Sequence, residues 1–150
     1  MRLSKFTDYA VRVCLYLSAH RDRTVPIAEI AQAHNVSHSN LMKVVNQLVD
    51  GGFLSSTRGR TGGVQLARDP AEVRAGEVVR HMEGEGAMVD CASCILLGSC
   101  GLVKVLRDAK SAFYAHLDQV TLADAVAAHP RTLDILLNAH GSDRAEAHTG

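Results

Sequence analysis

The stretch from residue 37 to 66 constrains this chain more than any other. Leu41, Val44, Val45, Leu48 and Val49 fall at i, i+3, i+4, i+7 and i+8, the spacing of a single apolar helix face. At about 100° per residue, Ser39, Lys43, Asn46, Gln47 and Asp50 collect on the opposite face, with Asn40 at its edge. Ser37 is placed to cap this helix, and Gly51-Gly52 ends it. Two short strand-like runs follow, Phe53-Leu54-Ser55-Ser56-Thr57 and Val64-Gln65-Leu66. They bracket Arg58-Gly59-Arg60-Thr61-Gly62-Gly63, a hairpin tip rich in glycine and arginine.

Upstream, Pro26 suits the first turn of a helix carrying Ile27, Ile30 and Ala31 at helical spacing, and Asn35 suits a left-handed stop. An earlier helix is expected to start near Thr7 and run through Leu17, ending in the charged loop His20–Thr24. Two helices joined by a tight turn, the second polar outside, followed by a basic hairpin, is the order of a winged helix-turn-helix. A helix fits the DNA major groove, where Ser, Asn, Gln and Lys can hydrogen-bond base edges or phosphates. The candidate DNA contacts are therefore Ser37, His38, Ser39, Asn40 and Lys43 on the helix, with Arg58 and Arg60 at the hairpin tip. A small helical domain with a merely solvated polar face is the weaker reading, because three features agree in series.

Beyond Pro70, Val73–Glu83 reads as a short helix, broken by Gly84-Glu85-Gly86. A long helix follows, in which Leu102, Leu106, Ala109, Phe113 and Leu117 form a narrow stripe suited to packing against another helix. Thr121-Leu122-Ala123-Asp124 reads as a capping box opening a last helix. The expected division is a DNA-binding region at 1–70, a second region at 71–140 and a disordered polar tail at 141–150. The expected fold class is mainly α with a small β-hairpin wing. Charge divides similarly: residues 1–80 carry eleven Lys or Arg against seven Asp or Glu, and residues 81–150 carry five against nine. A basic half fits a polyanion, and an acidic half fits assembly or sensing.

The cysteines supply the other signal. Cys14 sits inside an apolar helix and is expected in the core. Cys91, Cys94 and Cys100 bring three thiols into ten residues. With no secretory signal or membrane span in the sequence, a cytoplasmic setting is expected, where metal binding or redox sensing outweighs structural disulfides. Thiolates suit zinc or an iron–sulfur cluster, and both usually take four ligands. His81, Asp90 and His116 are candidates by type for the missing one. Aromatic residues make up only 4 % of the chain, which argues against base-stacking or sugar platforms. No Ser/His/Asp trio, phosphate-cradling loop or paired-carboxylate motif supports an enzyme.

Four segments together carry a resemblance: the opening Met1-Arg-Leu-Ser-Lys-Phe-Thr-Asp-Tyr-Ala10, the segment Leu41–Leu48, the wing Arg58–Gly63, and the cysteine loop leading into Leu102. Over residues 1 to about 130 the chain resembles the Rrf-type winged-helix regulators, and within them the nitric-oxide-sensing repressors. The resemblance implies a homodimer crossed through Leu102–Leu117, bound to double-stranded DNA at an inverted-repeat operator, with nitric oxide as signal. It also implies one iron–sulfur cluster per subunit, a 4Fe-4S cluster with 2Fe-2S open, held by Cys91, Cys94 and Cys100. Asp8 matches the position from which the partner subunit supplies a fourth ligand; locally, it also suits the first helical turn and pairs by spacing with Arg12. The chain departs from the family where two residues separate Cys91 from Cys94, against the usual four or five. That leaves cluster nuclearity and metal identity open. Sensing of cluster or redox status, and a zinc or thiol–disulfide interaction domain, stand as alternatives.

Overall fold

A computed structural model describes residues 1–139. The chain forms α1 (Lys5–Ala19), α2 (Ile27–His34), α3 (His38–Asp50), β1 (Leu54–Thr57), β2 (Gly63–Leu66), α4 (Ala75–Glu83), α5 (Leu102–Leu117), α6 (Leu122–Ala127) and α7 (Thr132–Asn138). This is the mainly helical fold with a two-stranded hairpin that the sequence implies. No helix among the described residues is long and apolar enough to cross a membrane.

Helix α1 is the spine. Its Ala10, Val13, Cys14, Tyr16 and Leu17 are buried against Ile30 of α2, Leu41, Val44 and Leu48 of α3, and Val64 and Leu66 of β2. Val78 of α4, Leu122 of α6 and Leu136 of α7 close the same core. Burying each such side chain contributes roughly 1.5–3 kcal/mol. A polar clamp pins the α1–α2 connection: the Tyr16 hydroxyl donates to Glu29 at 2.7 Å, and Arg23 donates to both Glu29 oxygens.

Three expected boundaries shift, each for a local reason. Helix α1 starts earlier than Thr7, because Ser4 is the cap and its Oγ accepts the Thr7 N–H at 3.1 Å. Thr7 is drawn inward instead, its hydroxyl donating to Glu83 of α4 at 2.5 Å. Helix α4 starts at Ala75 rather than Val73, because the backbone at 73–75 is held extended by Leu122 N–H to Val73 O, the Arg74–Thr121 bridge and Ala75 N–H to Val120 O. The Thr121 capping box forms as read, with reciprocal 3.0 Å bonds to Asp124. It opens only α6, however, and the last helical stretch is split in two around His129-Pro130, where proline disfavours continuation. The expected tail at 141–150 lies outside the described residues.

The hairpin is anchored from below. Leu54 pairs with Leu66 and Thr57 with Gly63, while Val25 adds an isolated bridge through two hydrogen bonds to Val64 at 2.8 and 2.9 Å. Gly63 permits that approach, since a Cβ there would sit 2.2 Å from the Val25 carbonyl oxygen.

Candidate functional site

The reading surface is built by two local decisions. Asn35 ends α2 in the left-handed region (φ 52°, ψ 49°), a conformation that Asn tolerates, and the Val36 N–H returns to Ala31 O. Ser37 then starts α3 at once, its Oγ accepting the Asn40 N–H at 3.3 Å. The turn therefore fixes α3 against α2, with Leu41, Val44, Val45 and Leu48 buried.

Of the candidate contacts, Ser37, His38, Ser39 and Lys43 are exposed and Asn40 is half-buried. Arg58 and Arg60 are exposed at the hairpin tip, Arg60 inside the turn closed by Gly62 N–H to Gly59 O and Arg58 just before it. Among the described residues, Lys43, Arg58 and Arg60 have no ion-pair partner, so three cations face solvent. Between α3 and the hairpin runs an open groove bordered by His38, Met42, Asn46, Asp50, Thr57 and Arg58. Met42 and Asn46 were not among the contacts expected from sequence. Asn46 carries a readable signal, its place on the polar face; Met42 does not, because an apolar residue there reads as core until the hairpin's position is known.

The cysteine loop is different in kind. Cys91 and Cys100 are half-buried, Cys94 is exposed, and none is in a disulfide. The loop is a chain of turns: Cys94 N–H to Cys91 O at 3.2 Å, Leu97 N–H to Cys94 O at 3.1 Å and Ser99 N–H to Leu96 O at 2.8 Å. The Leu96 N–H lies 3.5 Å from Cys94 Sγ, a backbone donor directed at sulfur. In chemical kind, three accessible sulfurs with an amide donor fit an iron–sulfur group. Within one chain the set is incomplete: among the described residues, no three of His, Cys, Asp and Glu are gathered to hold a metal ion.

Of the candidates for a fourth ligand, His116 is exposed in the last turn of α5, and the other three are engaged elsewhere. Asp8 is exposed and receives both Arg12 Nε (2.9 Å) and Nη2 (2.8 Å) within α1. Asp90 accepts from the Ala92 N–H and the Ser93 hydroxyl, the latter foremost in holding its carboxyl below the usual range. His81 hydrogen-bonds the Gln47 carbonyl at 2.7 Å and tilts against Phe53, so it ties α4 to the end of α3. Cys14 is fully buried, and burial pushes its thiol up to about 12, which makes it an inert core residue as expected.

One junction was invisible in the sequence. In the last turn of α4, Arg80 pairs with Asp118 at 2.9 Å and lies 4.6 Å over the Tyr114 ring of α5. His81 holds α3, and Glu83 accepts from Thr7 and from the Ser4 N–H at 2.7 Å at the head of α1. Three residues of one helical turn thus join the long helix, the reading helix and the first helix, immediately before the segment leading to the cysteines.

Comparison with known proteins agrees with this construction. Residues 3–128 match Rrf2, described as an iron-dependent transcriptional regulator. The chain is 42 % identical over 133 residues to the HTH-type transcriptional repressor NsrR of Streptomyces coelicolor, covering 85 % of this chain and 90 % of that protein. It is 39 % identical over 132 residues to the HTH-type transcriptional regulator NsrR of Bacillus subtilis, covering 84 % and 90 %. Among solved structures, the fold matches CymR, the global cysteine regulator of B. subtilis, with a TM-score of 0.72, 25 % identity and coverage of 86 % and 98 %. It matches T. potens IscR with a TM-score of 0.70, 26 % identity and coverage of 85 % and 88 %. A helix-turn-helix with a basic wing, carried on a chain of this similarity, makes this protein a member of the Rrf2 family of transcriptional regulators.

Proposed function

We propose that this protein is a homodimeric, cytoplasmic repressor that binds an inverted-repeat operator and releases it when nitric oxide destroys or nitrosylates a bound iron–sulfur cluster. The observation that carries this reading is the joining, in one chain about 40 % identical to NsrR regulators, of an unpaired basic reading surface with a loop of three accessible thiols. Cys91, Cys94 and Cys100 would hold the cluster, and Asp8 of a second copy would complete the set. A bound cluster, 4Fe-4S with 2Fe-2S open, supplies iron that nitric oxide attacks, and a carboxylate ligand leaves one corner more open than a fourth thiolate does.

The chain's own residues then carry the response. The stripe Leu102, Leu106, Ala109, Phe113 and Leu117 is half-buried to exposed in one chain and suits a paired α5. Asp8 belongs to α1 and the cysteines precede α5, so ligation between copies would tie the spine of one reading domain to the loop of the other. The Arg80, His81 and Glu83 junction offers a rigid route from that loop to α3. Dimeric readers need their two helices about one DNA turn apart, and a shift costing one or two kcal/mol per half-site weakens each roughly five- to thirtyfold.

The test is anaerobic purification with iron, sulfide and zinc analysis, then operator binding before and after nitric oxide titration. The loaded protein is expected to bind tightly and the treated protein weakly. Cys100→Ser is expected to abolish the cluster, Asp8→Ala to make it labile or change its absorbance, and Cys14→Ser to do neither. Zinc without sulfide, or iron lost through Cys14→Ser, overturns the ligand assignment. Equal operator affinity with and without the cluster overturns the switch.

A further inference from the structure

We propose that in the metal-free chain Cys91 and Cys94 form a redox-active dithiol, oxidised to an intramolecular disulfide by an anionic low-molecular-weight disulfide that docks in the cavity beside Cys91. The proposal does not require that the chain ever carry a cluster, and it stands on two independent features.

The first is the turn. The Cys94 N–H donates to the Cys91 carbonyl at 3.2 Å, closing a four-residue turn, and Asp90 fastens it through the Ala92 N–H at 3.0 Å and the Ser93 hydroxyl at 2.8 Å. Such a turn keeps its first and fourth Cα atoms within about 7 Å. Disulfides span Cα separations of roughly 4.4–6.8 Å, so the pair can close with little backbone movement. Both thiols are free, and Cys100 lies outside this turn.

The second is the cavity. About 640 Å³ of space lies between segment 84–91 and one face of α5, within the range of small-molecule sites, and Cys91 forms part of its wall. Met88, Val89 and Val103 make much of it apolar, and Arg80, Arg107, Lys110, Glu85 and Asp118 are the charged residues in its wall. Arg80 is committed to Asp118 and Tyr114, and Lys110 donates to the Gly86 carbonyl. Arg107 is exposed and has no ion-pair partner among the described residues, which leaves a guanidinium for a carboxylate. The lining residues Val103, Arg107, Lys110 and Tyr114 lie roughly a quarter of a turn around α5 from the Leu102–Leu117 stripe, with Leu106 shared between the two, so pairing through the stripe would border the cavity along one edge and leave the Arg107 side facing away from the seam.

Two exchanges complete the reaction. Cys91 Sγ attacks one sulfur of the docked disulfide; that S–S bond breaks, a mixed disulfide forms, and the leaving half departs as a thiol with the Cys91 proton. Cys94 Sγ then attacks Cys91 Sγ, releasing the second half as a thiol with the Cys94 proton. Two protein thiols are oxidised and one small disulfide is reduced to two thiols. The product lacks two of the three thiols available to a metal until it is reduced again.

The experiment treats the reduced, metal-free full chain with glutathione disulfide and follows intact mass and peptide maps. Wild type is expected to yield a Cys91–Cys94 linked peptide, and Cys94→Ser to stop at one glutathionyl group on Cys91. Arg107→Glu is expected to slow glutathionylation severalfold while leaving the rate with uncharged 2-hydroxyethyl disulfide unchanged. In wild type alone, added salt should slow only the anionic reagent. A first adduct on Cys100, a disulfide involving Cys100, or equal salt sensitivity for both reagents overturns the proposal.

Discussion

The reading half and the cysteine half of this molecule satisfy their residues in opposite ways. From α1 to β2, most apolar side chains are covered within the chain, and the exposed groups are mainly polar or charged, with Met42 of α3 an exception. From residue 87 to the end of α5 the balance reverses: Ile95 is 99 % exposed, Leu97 65 % and Leu102 62 %, with Tyr114 alone in α5 buried. A region complete in one chain can be read from one chain. A region with so much uncovered apolar surface carries the mark of an interaction surface rather than of a finished core.

The largest test of that contrast is stability. Leu48→Ala, at a fully buried position of α3, is expected to cost roughly 2–5 kcal/mol in denaturant unfolding, whereas Ile95→Ala should stay within about 0.5 kcal/mol. An equal loss at both sites would break the comparison. Next comes Gly63→Ala, which forces a methyl into the Val25 carbonyl; a cost of about 1–3 kcal/mol is expected, with operator affinity falling as the hairpin detaches.

A smaller effect, of at least about 1.4 kcal/mol or tenfold in low-salt operator affinity, is expected from Lys43→Ala, Arg58→Ala and Arg60→Ala combined. Folding stability should be unchanged, and the slope of log K against log salt should flatten by roughly one unit per lost phosphate contact. Unchanged low-salt affinity would remove these residues from the interface. Asn40 and Ser39 substitutions should alter which sequence is preferred.

The smallest expected effect is acid sensitivity of the reading half. Burial lowers the pKa of His34, the nearby Arg12 charge adds to this and Asp8 opposes it, while its Nε2 has no hydrogen-bond partner among the described residues. The unfolded chain therefore takes up that proton first; stability is fully present above the unfolded value near 6.5 and declines as pH falls towards the lowered folded value. Glu83 is held low by Thr7 and then Ser4, so its contribution is present above the unfolded value of about 4.3 and lost on further acidification. Melting temperature should fall in two steps, and His34→Gln should flatten only the upper one. If the upper step survives that substitution, another group is responsible.

Much of the reading half was legible because its signals are local. The i, i+3, i+4 repeat of α3, the left-handed Asn35, the Ser37 cap and the Arg-Gly hairpin each act over a few residues, so spacing predicts them. Local spacing starts helix α1 three residues late because Ser4 and Thr7 are both good caps, and only Glu83, seventy-six residues away, decides that Thr7 turns inward. The split around Pro130 was readable from proline itself but masked by the capping box ahead of it.

By itself, then, the sequence determined the helical periods, the turn chemistry, the exposed cations and the presence of three clustered thiols, all set by residue type and spacing. Only the tertiary structure decided that His81 binds the end of α3, that Glu83 fastens α1, that Met42 borders the groove, and that Cys91 lines a cavity under α5. Those contacts join residues far apart in the chain. Their partners are selected by how helices pack around α1, which no local spacing encodes.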